Sequence, residues 1–214
     1  MNYNLKREWP LLVILAVPLV AAILIYPSLP EQVPIHWNLQ GEVDDFGSRA
    51  FGAFFLPLLN IAMYPLFVFI PRLDPKRANY LNFEGSYLAI RYVLHLFFVL
   101  MFGITMAAAL GHPVDVGKWI AASVALLFAV MGGLMGRISH NYFVGFRFPW
   151  TLASEEVWIR THRFGSRLTV LGGVAAFIGV LFTKGVAAFA ILMAGLFVPI
   201  VITTIYSFIV FKRL

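Results

Sequence analysis

The sequence predicts an all-α fold: a polytopic membrane helical bundle of six transmembrane helices, residues 1–214 forming a single integral membrane domain. Three observations predict it. The chain is 61% hydrophobic and 12% charged, where soluble domains carry about 25% charged residues. Its mean hydropathy is +0.85. Its apolar residues fall in six runs, most near the roughly 20 residues that cross hydrocarbon as a helix.

The runs are 9–26, 51–70, 86–110, 118–135, 168–183 and 186–211, the fourth and fifth being the shorter ones. Pro18, Pro57, Pro65 and Pro199 lie inside them. Neighbouring helices and side chains can satisfy the carbonyls that such prolines free. The first run follows Lys6 and Arg7, as a signal peptide would. It exceeds a usual signal core and lacks a small-x-small site, so it is expected to be a retained helix.

Charge placement sets the expected topology. Of the Lys and Arg residues, 12 fall at the termini and in the 71–85 and 136–167 intervals, against 3 in the other loops. Positive residues stay on the cytoplasmic side, so both termini are expected to be cytoplasmic in a multi-pass protein of the plasma membrane. The net charge of +6 is thereby a topology signal, and no nucleic-acid partner is expected. The chain has no cysteine, which excludes disulfides, thiolate metal sites and a Cys nucleophile.

The loop 27–50 is then outside. Pro27, Pro30 and Pro34 rule out regular helix there, and Gly41 permits a turn. Glu31, Glu42, Asp44 and Asp45 face one Arg49, a balance that draws a cationic ligand. Trp37 suits the headgroup level. His36, Asn38, Asp44 and Asp45 are expected to converge on one pocket. Three readings stay open: a hydrogen-bonded structural loop, a direct ligand site, or one imidazole with hard oxygens for Zn²⁺ or Ca²⁺.

Within the third run, Arg91 and His95 share a face at i,i+4 spacing. Ionisable groups inside a membrane are functional candidates. Arg91 also stands near enough to the interface to snorkel, and Asn60 is a candidate partner for either residue.

The interval 136–167 is the second polar region. Ser154 can cap a helix that carries Glu155 and Glu156 in its first turn. Val157, Phe164 and Leu168 mark one side; Glu156, Arg160, Arg163 and Arg167 mark the other. The expectation is an amphipathic helix on the inner leaflet, binding anionic lipid or docking a cytoplasmic protein. Phe46-Gly47-Ser48-Arg49 is echoed by Phe164-Gly165-Ser166-Arg167, which suggests a 3+3 inverted repeat. No hydrolase, phosphate-loop or dinucleotide signature is present, and Ser139-His140 alone is not a nucleophile–base pair. No cofactor is expected.

The two polar regions together resemble the SdpI family of bacterial membrane proteins. The outer loop is similar to its L-P-x-x-V-P-x-H-W/F-N run, here Leu29-Pro30, Val33-Pro34, His36-Trp37-Asn38, then Gly41, Asp44 and Gly47-Ser48-Arg49. The cytoplasmic part is similar to its G-x-R-x-P-W-T-L…W…T-H-R pattern, here Gly145, Arg147, Pro149-Trp150-Thr151-Leu152, Trp158 and Thr161-His162-Arg163. Asp74-Pro75-Lys76, Asn79-Tyr80 and Phe83 add to it. Phe148 departs from the expected Thr, and Phe46 stands where Trp is frequent. The resemblance implies immunity to a secreted peptide toxin, and a receptor that holds a cytoplasmic regulatory protein when engaged.

The sequence thus predicts a non-enzymatic binding protein. His36, Trp37, Asn38, Asp44, Asp45, Arg91 and His95 are its candidate ligand residues. Arg147, Trp150, Trp158, Arg160, His162 and Arg163 are its candidate partner-binding residues. A small transporter or exporter, using the Arg91/His95 face, is the alternative from another class. A metal-dependent membrane hydrolase is the third.

Overall fold

A computed structural model describes residues 5–214, with side chains from Glu8 onward. Lys6 and Arg7, counted for topology, have side chains outside the described residues. The helices are α1 (Leu5–Ile25), α2 (Arg49–Leu73), α3 (Glu84–Ala109), α4 (Val116–Met135), α5 (Pro149–Ala153), α6 (Glu155–Leu181) and α7 (Gly185–Arg213). All but the short α5 are long and apolar enough to cross a membrane, so six spans are present among the described residues. The chain is a multi-pass membrane protein.

Caps explain several boundaries. Ser48 accepts the Phe51 N–H to start α2, Asp115 the Lys118 N–H to start α4, and Ser154 the Val157 N–H to start α6. Outside, the bundle is apolar: Leu24, Leu171 and Phe182 are 73%, 66% and 84% exposed. Inside, Asn60, Arg91, His95, Ser123, Thr169, Thr203 and Ser207 are buried. Lipid rewards that arrangement, because polar groups must find partners within the bundle.

One group of helices is α1, α2 and α3, and a second is α4, α6 and α7, with α3 packed on α4. Small residues set the tight approaches in the second group. A Cβ on Gly173 would meet Ala129 N at 2.6 Å, and one on Gly172 would meet Gly195 O at 2.3 Å. Backbones that close leave no room for a side chain.

The structure extends one sequence expectation and corrects another. Where the sequence excluded only regular helix, the loop 27–50 contains the antiparallel strands β1 (Gln32–Trp37) and β2 (Val43–Ser48). Asn38 closes the hairpin, its Oδ1 accepting the Gln40 and Glu42 N–H groups, with Gly41 at φ +85°. The corrected one is the short helix expected to precede the fifth span, over 154–167. That stretch is the start of α6, continuous from Glu155 to Leu181. Val157 is fully buried and Phe164 stacks on Tyr206 of α7, so the helix that carries the expected fifth span starts thirteen residues before it.

The four-residue echo has no common local structure. Phe46–Arg49 ends β2 and begins α2, whereas Phe164–Arg167 lies inside α6.

Candidate functional site

The hairpin, the α3–α4 connection and the α6–α7 connection lie at one end of the bundle, here called the hairpin face. The 74–83 and 136–154 segments and the C-terminus lie at the other, the terminal face. Gly52 gives β1 its seat on α2, since a Cβ there would meet Val33 Cγ1 at 2.5 Å. Val33 is itself fully buried, with Leu29, Ala53, Phe102 and Met106. The hairpin tip then reaches across the bundle. A Cβ on Gly117 would lie 3.9 Å from Gly41 Cα, and one on Gly185 would lie 3.5 Å from Leu39 O.

Beneath this strap is a cavity of about 1170 Å³, walled by β1, the hairpin turn, α2, α3, α4 and α7. Its deeper wall is apolar, with Leu56, Met101, Met106, Ile120 and Leu192. Its rim carries His36, Asn38, Gln40, Asp45, Asp115, Lys118 and Lys184. Of the residues expected to converge, His36, Asn38 and Asp45 line the cavity, with Trp37 beside them, whereas Asp44 does not line it and contacts His36. His36 Nδ1 lies 2.5 Å from Asp44 Oδ1 on the exposed hairpin surface. Trp37 packs toward Met101, Ile104 and Val116 of α3 and α4. Among the described residues no three His, Asp or Glu side chains converge as metal ligands.

Arg91 and His95 are not at this cavity. Arg91 does not snorkel: it is fully buried and forms a two-pronged pair with Glu8 of α1, at 2.9 and 2.7 Å. Tyr64 OH donates to the same carboxylate at 2.9 Å, and the guanidinium lies over the Tyr64 ring. Burial explains the geometry, because a charge in hydrocarbon needs a matched partner and the Arg fork fits a carboxylate. One turn on, His95 Nδ1 lies 2.7 Å from Asn60 Oδ1, so Asn60 partners the histidine. Glu8 escaped the sequence reading. Its signal was an acid in the first turn of α1, at the depth of Arg91 in α3.

At the terminal face, Asp74 organises the second polar region. Its carboxylate accepts from the Lys76 and Tyr142 N–H groups and from Tyr80 OH. Lys76 Nζ donates to His140 Nδ1 at 2.8 Å, and Asn79 Nδ2 donates to His140 O. Burial and the neighbouring ammonium both hold the His140 pKa below the usual histidine range. Asn141 is fully buried and ties the 139–144 turn through both ends of its amide.

The candidate partner residues divide by burial. Trp158 and His162 are 0% and 1% exposed, which removes them from any docking surface. Trp158 donates from Nε1 to Ile138 O and stacks on His162. His162 Nε2 accepts the Phe146 N–H, so its Nδ1 donates to Trp158 O. Trp150 is half-buried and donates to Ser207 of α7. Arg147, Arg160 and Arg163 are exposed. Arg147 donates to Tyr142 O, and Arg160 pairs with Glu156.

Two stretches of the chain match families of known proteins. Residues 137–207 match the SdpI/YfhL protein family, and residues 13–61 match a family described as a domain of unknown function, DUF1648. Over 210 residues the chain is 26% identical to the Immunity protein SdpI of Bacillus subtilis (strain 168), covering 98% of each protein. No solved structure matches the chain. The polar hairpin and the terminal-face segment therefore belong to a likeness with the SdpI family that runs through almost the whole chain.

Proposed function

We propose that this protein is a membrane toxin-immunity protein that binds a secreted peptide at its hairpin and the cavity below. The end-to-end likeness to an immunity protein carries the reading. Positive residues at the terminal face support a cytoplasmic location for that face and an external one for the hairpin, in the plasma membrane. A ligand in the cavity touches both helix groups at once, because α2 and α3 form one wall and α4 and α7 the other. Binding that favours one arrangement of the two groups would reach the terminal face through α4, α6 and α7. There Arg147, Arg160 and Arg163 offer an exposed basic surface to a regulatory protein or to anionic lipid. Toxin identity does not follow from the fold.

The test is survival of a sensitive bacterium challenged with the host's secreted peptides, comparing wild type with His36→Ala at equal membrane abundance. Protection by wild type, weakened in the variant, is the expected outcome. Full protection by both removes the hairpin site, and protection by neither removes the immunity role.

A further inference from the structure

We infer that the cavity below the hairpin takes the apolar carboxy-terminal end of a peptide, its free carboxylate held by Lys118 and Lys184. This deepens the proposed function and rests on its peptide ligand.

The charge inventory of the rim carries the inference. Apart from Glu31, which is not on the rim, the acids of this end already have hydrogen-bond donors within the chain. Asp44 is engaged by His36, Asp45 by the Phe46 N–H, Asp115 by the Lys118 N–H, and Glu42 by Asn38 Nδ2. Neither the Lys118 nor the Lys184 ammonium has a hydrogen-bond or ion-pair partner among the described residues. Lys118 is half-buried and Lys184 exposed, both on the cavity rim. An unpaired cation beside an apolar wall gains most from an anionic partner that brings its own apolar surface.

Size and polarity favour a peptide over a fatty acid. A cavity of about 1170 Å³ exceeds the roughly 300–1,000 Å³ of small-molecule sites. The Gln40 side-chain amide also stands on the rim without a partner among the described residues. It suits a peptide backbone, whereas a hydrocarbon tail would leave it unused.

The probe is a six-residue peptide of leucine, alanine and phenylalanine, dansylated at its amino end, prepared as free acid and as carboxy-terminal amide. Each is titrated against the full chain in lipid nanodiscs, with empty nanodiscs subtracted. The acid is expected to bind about tenfold more tightly than the amide. Lys118→Gln with Lys184→Gln should bring the acid down to the level of the amide and leave amide binding unchanged, which also shows that the variant is folded. Lys118→Arg with Lys184→Arg should keep the preference. Equal binding of acid and amide to wild type overturns the inference, as does a preference that survives the double Gln change. Displacement of the peptide by laurate at lower concentration than by unlabelled peptide overturns it in favour of a fatty acid. A chain that protects cells but does not prefer the acid loses this inference alone. A lysine-dependent acid preference without protection supports the site and removes only the immunity role.

Discussion

At the scale of single residues, the buried Glu8–Arg91 pair shows how a charge survives inside an apolar bundle. Two parallel hydrogen bonds and the Tyr64 hydroxyl satisfy the carboxylate, and the Tyr64 ring covers the guanidinium. Removing one partner strands the other in a low-dielectric site, at a cost of about 3–5 kcal/mol. Arg91→Met is therefore expected to lower the unfolding midpoint in lipid sharply. Arg91→Met with Glu8→Gln should recover much of that loss, since the stranded carboxylate is gone. A double variant as unstable as the single one would show that packing, not charge, dominates. His95 and Asn60 form a separate pair one turn further on, so the two ionisable residues that share a helical face serve different contacts.

Among elements, the link between the 139–148 segment and α6 is closer than a loop normally makes. Gly145 has φ +118°, and a Cβ there would lie 2.2 Å from His162 Nε2. The same nitrogen accepts the Phe146 N–H, so the turn is held on the histidine. Gly145→Ala combines a clash with backbone strain of about 1–3 kcal/mol. Limited proteolysis of the variant should open the 139–148 segment while the six spans remain protected. Unchanged protection of the segment would show that the contact is not needed to hold it. Trp158, stacked between His140 and His162, makes the same point: a motif that looks like a docking surface in sequence is packing between elements.

For the whole molecule, the Lys76–His140 contact joins the α2–α3 connection to the segment after α4, and so ties the two helix groups at the terminal face. Its pH dependence has a definite sign. The folded His140 pKa lies below the ordinary value of about 6.5, because the ring is buried and faces the Lys76 ammonium. Above that value both folded and unfolded chains leave the ring neutral, and the contribution is fully present. As pH falls below it, the unfolded chain binds the proton first and stability is lost. The unfolding midpoint should therefore drop between pH 7 and pH 5, and Lys76→Met should reduce the drop. An identical drop in the variant would place the effect elsewhere.

How much was legible follows from the range of each interaction. Six spans could be read because hydrocarbon imposes length and apolarity locally, one run at a time. The hairpin's Pro, Gly, His and Asn residues marked a structured polar segment, and it lies within residues 13–61, which match a family model. Its strands went unread, because β pairing here depends on Val33 seating against Gly52 of the following helix. The tertiary structure alone decided that Arg91 meets Glu8, 83 residues away, and that Trp158 and His162 turn inward. It also decided that Lys118 and Lys184, two topology markers in the sequence, share one cavity rim. Local hydrophobicity fixes which segments enter the membrane; which faces meet there depends on helix rotation and close packing, and those are properties of the assembled bundle.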